Sequence, residues 1–252
     1  MADVSAFALI SDLHSNIAAL EAVLERIDQL GVAEVNCLGD VVGYGAEPSE
    51  CVQIVMERCK WTIMGNHDWG LFHGLMELNP LASAALLYTR KLLQPSLFRL
   101  GRRKQWNFLR GLADRMEDHG YLFFHGSPRD PVMEYVLRSD EHFAPEKLVE
   151  IFQLIDRPAF VGHTHFPGIT RADHHFTPAT DEDHVFALDA PCVVNVGSVG
   201  QPRDGDPRAS FAVVSDGEVE IHRVEYNFHN TQAKILAAGL HPALADRLGR
   251  GK

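Results

Sequence analysis

The sequence predicts an α/β fold with a core of parallel strands, and two patterns carry this prediction. An apolar run of strand length, a polar corner and a helical pattern follow one another repeatedly in the first 68 residues. Such alternation is typical of parallel strands that are buried on both faces. Five strand-like stretches then lie close together between residues 168 and 224, separated by short turns such as Asp216-Gly217. This spacing indicates hairpins in a second sheet.

The first elements follow from these repeats. Each strand is an apolar run of four to eight residues, and each helix shows apolar residues at helical spacing. The predicted elements are a strand at 4–11, a helix from an N-cap at Ser15 to a stop at Gly31, a strand at 34–38, a helix from Pro48 to about Cys59, and a strand at 61–64.

Residues 69–112 differ from the flanking chain because their composition is helical, with breaks at Pro80 and Pro95. We interpret them as a helical insert that covers one side of the site, with helices at 71–78, 81–93 and 105–112. Its basic cluster, Arg99 to Lys104, is interpreted as a solvated helix end.

Beyond the insert, the predicted elements are strands at 120–124 and 159–161, a helix at 145–155, the five later strands at 168–171, 185–188, 192–196, 210–215 and 219–224, and a helix from about Thr231. The Gly-Arg-Gly-Lys tail is expected to fray. The chain shows no internal repeat and no long linker, so residues 1–252 are predicted to form a single domain.

The charge balance limits the classes of partner. The chain has 252 residues, with 23 basic and 34 acidic side chains and a formal net charge of −11. A hydrophobic content of 46% is ordinary for a globular protein. Stable nucleic-acid binding is not expected, because it needs basic charge that this chain lacks overall. A phosphorylated substrate must meet a local positive charge, and a P-loop is excluded as its source because the sequence contains no G-x-x-x-x-G-K-[ST] motif.

The sequence predicts a cytoplasmic protein. It contains no run of about 18 apolar residues that could span a membrane, and Asp3 stands where a signal peptide needs a base. The cysteines show no C-x-x-C spacing, which favours reduced core thiols over disulfides or metal ligation. They are Cys37, Cys51, Cys59 and Cys192.

Five polar clusters each follow an apolar strand, and neighbouring strand ends can bring distant clusters together. In D-x-H and H-x-H, both ligand-type side chains fall on the same side of an extended backbone. The clusters offer carboxylates, an amide oxygen and imidazoles, which suit two divalent transition metals such as Mn²⁺, Fe²⁺ or Zn²⁺ better than Ca²⁺ or an iron–sulfur cluster. They are Asp12-x-His14, Gly39-Asp40, Gly65-Asn66-His67-Asp68, His125 and Gly162-His163-x-His165.

In this order of motifs the chain resembles the calcineurin-like metallophosphoesterase superfamily, from about Phe7 to about Gly200. The implied fold is a four-layer α/β/β/α sandwich of two mixed sheets with flanking helices. Within the superfamily, the chain is similar to small prokaryotic members related to diadenosine tetraphosphatases. Two stretches carry this narrower similarity: Gly39-Asp40-Val41-Val42-Gly43-Tyr44-Gly45 and Asn195-Val196-Gly197-Ser198-Val199-Gly200-Gln201-Pro202-Arg203.

The resemblance also implies roles for individual residues. One metal would be bound by Asp12, His14 and His165 and the other by Asn66, His125 and His163, with Asp40 bridging the two. His67 would protonate the leaving oxygen or stabilise charge on it, and Asp68 would orient the His67 ring. Purple acid phosphatases place a tyrosine ligand three residues after the bridging aspartate, where this chain has Gly43 and Tyr44 follows. This departure favours two divalent ions over an Fe³⁺ charge-transfer centre.

The implied activity is metal-dependent hydrolysis of phosphoester or phosphoanhydride bonds in a nucleotide or small phosphodiester, by attack of metal-bound hydroxide. Two divalent ions would also supply the local positive charge that an acidic protein needs. A phosphoprotein phosphatase is one alternative, because that branch shares the seven ligands. A catalytically silent scaffold, like one retromer subunit of the superfamily, is another. The complete ligand set and the presence of His67 argue against the scaffold.

Four further residues have two interpretations each. Arg129 and Arg203 lie in proline-containing loops, where they either grip a phosphate or lie on the surface. Trp69 and Phe72 follow the G-N-H-D corner, where they either stack on a nucleotide base or pack within the helices.

Overall fold

A computed structural model describes residues 6–74, 79–95 and 102–252 of the chain. Within these ranges, twelve strands form two six-stranded sheets. The strands are β1 (Phe7–Ile10), β2 (Glu34–Cys37), β3 (Cys59–Thr62), β4 (Arg115–Asp118), β5 (Tyr121–Phe124), β6 (Ala159–Val161), β7 (Gly168–Thr170), β8 (Phe176–Pro178), β9 (Val185–Ala187), β10 (Val193–Asn195), β11 (Ala209–Ser215) and β12 (Glu218–Val224).

Both sheets are mixed. The first has the order β3-β2-β1-β11-β12-β9, in which β1, β2 and β3 are parallel. Phe7 of β1 pairs with Glu34 of β2 on one side and, antiparallel, with Val214 of β11 on the other. The second sheet has the order β4-β5-β6-β10-β7-β8, with β5, β6 and β10 parallel. The predicted fold class is confirmed.

Helices cover the outer faces of both sheets. They are α1 (Ile17–Gln29), α2 (Pro48–Arg58), α3 (Asn66–His73), α4 (Pro80–Leu93), α5 (Arg102–Arg110), α6 (Asp140–Phe143), α7 (Pro145–Gln153), α8 (Phe228–Ala237) and α9 (Pro242–Asp246), followed by a 3-10 turn at Leu248–Arg250. Among the described residues, none of these helices is long and apolar enough to cross a membrane.

The alternation of side chains along β1 explains the layers. Phe7 and Leu9 belong to the core between the sheets, where Phe7 and Phe123 lie with ring centroids 6.3 Å apart. Ala8 and Ile10 belong instead to the core beneath α1 and α2. All four β1 residues are buried, because one face of the strand meets a sheet and the other meets helices. A third cluster joins α7 to the second sheet, which completes the α/β/β/α order.

Three of the later strands belong to a different sheet from the one expected. The sequence predicted that the stretches after residue 167 form a second sheet together. Instead, β9, β11 and β12 extend the first sheet, while β7 and β10 join the second. The hairpin β11–β12 is present, with its turn at Asp216-Gly217. Hairpin signals specify local pairing but not the sheet that the hairpin joins, and this explains the error.

Two strands and one helix cap also differ from the prediction. The edge strands β4 and β8 were not predicted, because both are short and neither is a buried apolar run. The cap of α1 is Asn16, whose Oδ1 accepts a hydrogen bond from the backbone N–H of Ala19. Ser15, the predicted cap, has a left-handed backbone with φ of 56° and belongs to the turn before the helix.

The insert contains α4 and α5, and α3 begins at its N-terminal side. Residues 75–78 of the predicted helix 71–78, and residues 99–101 of the predicted basic cluster, lie outside the described residues. The tail is held to the protein rather than frayed. The backbone N–H of Gly205 donates to the carbonyl of Gly251, and the N–H of Lys252 donates to that of Arg247.

Candidate metal centre

The seven ligand-type residues meet where the ends of the two sheets face each other. Residues after β1, β2 and β3 come from the first sheet, and residues after β5 and β6 come from the second. All seven are buried, although each is polar. They are Asp12, His14, Asp40, Asn66, His125, His163 and His165. The site therefore spans two sheets.

The backbone turns sharply at these positions. Asp12, His14, Asp40, His163 and His165 all have positive φ, between 48° and 67°. Non-glycine residues in this region cost on the order of 1–3 kcal/mol each, and such residues concentrate at functional sites. Backbone hydrogen bonds between motifs hold the turns, since the N–H groups of Asp12 and His14 donate to the carbonyls of Gly39 and Asp40 at 3.0 Å.

The first cluster contains two imidazoles that face each other. His14 Nδ1 donates to the carbonyl of Val42, and His165 Nδ1 donates to the carbonyl of Gln201. These bonds leave both Nε2 atoms as lone-pair donors only 3.1 Å apart. The pKa of both imidazoles is lowered, mainly by burial and to a smaller extent by positive charge nearby. Two nitrogen ligands about 2.1 Å from one ion stand roughly 3.0–3.4 Å apart, so the spacing of these two Nε2 atoms fits a shared cation.

Asp12 completes the first cluster. Its Oδ2 accepts a hydrogen bond from the backbone N–H of His163, which fixes the carboxylate. Its Oδ1 lies 3.1 Å from His165 Nε2 yet accepts no hydrogen bond from any described residue. Burial opposes ionisation of Asp12, but the charge of His165 and the other imidazoles holds its pKa well below the usual range. A buried carboxylate oxygen without a hydrogen-bond partner could hold a metal ion.

The second cluster repeats this arrangement. His125 Nδ1 donates to the carbonyl of Leu38 at 2.8 Å, so Nε2 faces Asn66 Oδ1 at 3.3 Å and Asp40 Oδ2 at 3.5 Å. His163 Nε2 donates to the carbonyl of Met133 at 3.0 Å, which leaves Nδ1 for the cluster. All four imidazoles thus have one nitrogen held by a backbone carbonyl and the other turned inward.

The pKa values of the second cluster show where a positive charge is favoured. Burial lowers the pKa of His125, but the Asp40 carboxylate outweighs it and raises that pKa to about 9. Burial and the charge on His125 lower the pKa of His163 to about 3. One cation is therefore strongly favoured beside Asp40, and a proton takes that place when no metal is bound.

Asp40 lies between the two clusters. Its Oδ2 is 3.7 Å from His14 Nε2 and 3.5 Å from His125 Nε2, so one oxygen faces both ligand sets. Its Oδ1 accepts a hydrogen bond from the backbone N–H of His67 at the N-terminus of α3. Despite burial, the surrounding imidazoles hold the pKa of Asp40 well below its usual range. This position is the one that a bridging ligand needs.

His67 forms a further trio of potential ligand atoms with His14 and Asp40, but no backbone carbonyl of the described residues holds its Nδ1 as one holds a nitrogen of each of the other four imidazoles. Its ring lies between His14 and Tyr44, at centroid distances of 4.7 and 4.5 Å. Its Nδ1 is buried against Gly43 and has no hydrogen-bond partner among the described residues. Burial, opposed by Asp40 but reinforced by Arg203, lowers the pKa of His67 to about 4. The free imidazole is therefore neutral near pH 7.

Asp68 has a different contact from the one expected. The resemblance implied that it orients the His67 ring. Instead, its oxygens accept hydrogen bonds from the backbone N–H groups of Gly65, Val41 and Val42 at 3.1–3.4 Å. Burial, reinforced by the Asp40 carboxylate, raises the pKa of Asp68 to about 7. Asp68 thus caps α3 and holds the loop that follows Asp40.

The two candidate arginines occupy different surroundings. Arg203 donates to Gln201 Oε1 at 2.9 Å and lies over the Tyr44 ring, close enough to lower the pKa of His14, His67 and His165. Arg129 instead forms ion pairs with Glu134 and Glu150. Its guanidinium is neutralised by these carboxylates, so its surroundings favour the surface interpretation.

A cavity of about 120 Å³ opens beside the clusters. Trp69 lines it, with its ring stacked on His73, whereas Phe72 packs edge-to-face on Trp106 inside the insert. Tyr135 also lines the cavity and stacks on His163 with centroids 3.6 Å apart. Tyr135 was not identified from the sequence, because no motif marks it. The other lining residues include Tyr44, Asn66, His67, Met133 and His163.

The packed sheets and the paired Asp/His clusters define the class of protein: an α/β/β/α sandwich with a metal-type site at the sheet ends. Within that class, the chain belongs to the calcineurin-like phosphoesterase superfamily, whose domain model matches residues 6–217. An uncharacterized protein of Methanocaldococcus jannaschii, MJ0912, is 34% identical over 98% of this chain and 99% of its own length.

Solved structures agree with this assignment. A metallophosphoesterase from Sphaerobacter thermophilus is 37% identical, with a TM-score of 0.83 over 98% of this chain and 99% of that one. The hypothetical protein PH1004 from Pyrococcus horikoshii OT3 shares the fold, with a TM-score of 0.74, 20% identity and 98% coverage of both chains. A candidate diadenosine tetraphosphatase shares it more distantly, with a TM-score of 0.54 and 17% identity over 89% of this chain and 96% of that one.

Proposed function

We propose that the protein is a dinuclear-metal-dependent phosphoesterase that hydrolyses phosphoester or phosphoanhydride bonds of a nucleotide or small phosphodiester. The observation that carries this proposal is the orientation of the four imidazoles. Each has one nitrogen bound to a backbone carbonyl and presents the other to a buried carboxylate or imidazole. A hydrogen-bond acceptor on the other ring nitrogen orients a metal-ligating histidine and raises its affinity for the metal.

The residues would hold two ions as two sets joined by one carboxylate. Asp12, His14 and His165 form one set, Asn66, His125 and His163 form the other, and Asp40 lies between them. Mn²⁺, Fe²⁺ or Zn²⁺ fits this mixture of imidazole and oxygen donors. Bound by these residues, two such ions would supply Lewis-acid chemistry that lowers the pKa of water and stabilises negative charge on phosphoryl oxygens.

The chain's own residues would complete the reaction. Arg203 offers positive charge to a phosphoryl group of the substrate, because its guanidinium lies next to the imidazoles without a carboxylate partner among the described residues. His67 donates a proton or hydrogen bond to the leaving oxygen. Its pKa of about 4 in the free protein means that the negative charge of the substrate must raise that pKa before His67 can deliver a full proton.

A small substrate is supported by the cavity. Its volume of about 120 Å³ suits a phosphoryl group and part of its substituent, and Tyr44, Trp69 and Tyr135 give it an aromatic lining. The relative from Sphaerobacter thermophilus is described as a metallophosphoesterase, which supports the same chemistry.

The proposal is tested by elemental analysis and a substrate panel. Protein purified without added metal should hold close to two transition-metal ions per chain. With Mn²⁺ it should hydrolyse members of a panel of mononucleotides, cyclic nucleotides, dinucleoside polyphosphates and phosphopeptides. A folded sample that holds no transition metal and is inert with Mn²⁺ supports the scaffold alternative, whereas activity confined to phosphopeptides supports the phosphoprotein phosphatase.

A further inference from the structure

Two arginines from distant parts of the chain meet beside the candidate metal centre. Arg203 and Arg247 both donate to the side-chain oxygen of Gln201, at 2.9 and 3.4 Å. Their guanidinium carbons lie 5.7 and 5.8 Å from the centroid of the Tyr44 ring. Gln201 is buried, and its backbone carbonyl accepts the hydrogen bond from His165 Nδ1. The same residue therefore joins the arginine pair to the metal-type cluster.

The pair has no counter-charge in the described part of the chain. No carboxylate there forms an ion pair with Arg203 or Arg247, although the protein is acidic overall. The nearby acids are already paired, since Asp204 binds Arg223 and Asp206 binds Arg208. Two like charges that share one neutral acceptor repel each other, and an anion between them would remove that cost.

The fold holds Arg247 in place. It follows α9, whose Leu244 and Ala245 pack with Leu248 against Tyr44 in one apolar cluster. The carbonyl of Gly251 accepts a hydrogen bond from Gly205, in the loop that follows Arg203. The C-terminal turn and the Arg203 loop are therefore fastened together. Arg247 lies beyond the part of the chain that the family model matches, so the superfamily motifs do not supply it.

We propose that Arg203, Arg247 and Gln201 form a subsite for a second, non-reacting phosphoryl group of the substrate. This inference rests on the proposed function, because the metal-type cluster would hold the reacting group. It narrows the substrate to compounds in which a phosphoanhydride joins the reacting phosphorus to another, as in nucleoside diphosphates, triphosphates or dinucleoside polyphosphates. Planar guanidinium groups suit this role because they bind phosphate oxygens in a bidentate manner.

A binding experiment separates this subsite from the reacting centre. The probes are inorganic phosphate and inorganic tripolyphosphate, titrated calorimetrically into Mn²⁺-loaded protein and, in parallel, into protein in EDTA. Arg247→Gln should weaken tripolyphosphate binding about tenfold while changing phosphate binding less than twofold. The affinity of Arg247→Lys for tripolyphosphate should lie between those of the wild type and Arg247→Gln, because lysine keeps the positive charge but lacks the planar, bidentate guanidinium group. Arg250→Gln, with the same change in charge on the same terminal turn, is the matched control.

Kinetics give a second readout. Arg247→Gln should lower kcat/KM about tenfold for a nucleoside triphosphate and leave that for p-nitrophenyl phosphate unchanged. Equal losses for both substrates, or an equal loss in Arg250→Gln, would overturn the subsite. If the wild type hydrolyses nothing, the proposed function fails. The calorimetric comparison in EDTA still decides the subsite, because tripolyphosphate binding that is unaffected by Arg247→Gln contradicts it.

Discussion

Two groups of acids and histidines in this protein bring potential metal-ligand atoms equally close together, but only one of them has the surroundings of a metal centre. The site cluster comprises the Asp and His residues after β1, β2, β5 and β6. The edge cluster comprises Glu34, Asp118 and His119 near the opposite ends of β2 and β5. Potential ligand atoms lie within 4.8 Å of one another inside each of two trios of the site cluster and inside the edge cluster. The two site trios are Asp12, His14 and His165, and Asp40, His125 and His163.

The edge cluster already contains its cation. Lys60 Nζ lies 2.8 Å from Asp118 Oδ2 and 3.1 Å from Glu34 Oε2, and His119 Nε2 lies 2.8 Å from Glu34 Oε1. Its three side chains are 18–26% exposed, and that of Lys60 is 47% exposed. These contacts satisfy the carboxylates without a metal, and the ion pairs are of the partly solvated kind that contributes little to stability.

The site cluster contains no such partner. Among the residues that the structure describes, Asp12 and Asp40 form ion pairs with histidines alone. Their second oxygens are bound by backbone N–H groups, which aim the first oxygens inward. Proximity of ligand atoms is therefore not enough to define a metal centre. The site cluster differs from the edge cluster because its carboxylates have no lysine or arginine partner among the described residues, and because the second polar atom of each Asp and His ligand is held by the backbone.

Substitution of Asp40 should have the most severe consequence for metal binding. Asp40→Asn removes the negative charge that faces both ligand sets, so the protein should lose both metal ions and its hydrolytic activity should fall to background. Loss of a merely orienting partner already costs about 10–100-fold in metal affinity, and a shared ligand should cost more. Metal content by mass spectrometry and turnover with Mn²⁺ measure this.

Asp118→Asn is the matched control for Asp40→Asn, with the same chemical change in the edge cluster. It should keep both ions and wild-type turnover. Two ions retained in Asp40→Asn, or ions lost from Asp118→Asn, would reverse the assignment of the two clusters.

Substitution of His67 should separate the loss of proton donation from the loss of metal binding. His67→Ala should retain metal, because His67 belongs to neither ligand set proposed here, while kcat falls about 10²–10⁴-fold for substrates with poor leaving groups. Steady-state kinetics with a series of leaving groups, together with metal analysis, measure this. Unchanged kcat for an alkyl phosphate ester would contradict the role given to His67.

A smaller effect concerns the space around His67. Gly43 has φ of +103°, and a Cβ there would lie 2.2 Å from His67 Nδ1. Gly43→Ala should therefore displace the ring and lower kcat about 10–100-fold with metal content unchanged, since displacements near 1 Å can cost about 10²-fold.

Gly217→Ala is the control for backbone strain alone. Gly217 also has positive φ, at +79°, but a Cβ there would meet no described atom within 4 Å. Both variants should lose stability, by about 1–2 kcal/mol, whereas only Gly43→Ala should lose activity. Equal activity in the two variants would show that the His67 ring tolerates the displacement.

The smallest effect concerns the edge cluster and pH. Hydrogen bonds from Lys60 and Trp61 outweigh burial and lower the pKa of Asp118 below its usual 3.8. A carboxyl with a lowered pKa stabilises the folded protein above its unfolded pKa, and this contribution is lost as the pH falls through its folded pKa.

Asp118→Asn should therefore lower the free energy of unfolding by less than about 1 kcal/mol at pH 7, with the difference shrinking towards pH 3. Urea unfolding at several pH values measures this. A difference that grows on acidification would mean that Asp118 is not stabilised in its charged form.

The parts of the fold that depend on neighbours in the sequence were predictable. The apolar run of β1, the helical spacing of α1 and the turn at Asp216-Gly217 all lie where the sequence places them. Sheet membership was not predictable in the same way, because the local signals of the hairpin β11–β12 do not specify which sheet it joins. The pairing of β11 with β1 depends on the packing of the whole core.

The amino-acid sequence alone specifies which oxygen and nitrogen donors follow which strands, in the order that the superfamily shares. Tertiary structure decided how those donors are used. It brought two sheets together at the site, gave Asp68 backbone partners instead of His67, and placed Tyr135 and Arg247 beside the clusters. Donor type and local spacing are properties of short segments, and the sequence therefore specifies them. The backbone groups that bind the second nitrogen or oxygen of each ligand come from loops and helices, and these meet only when the core has packed.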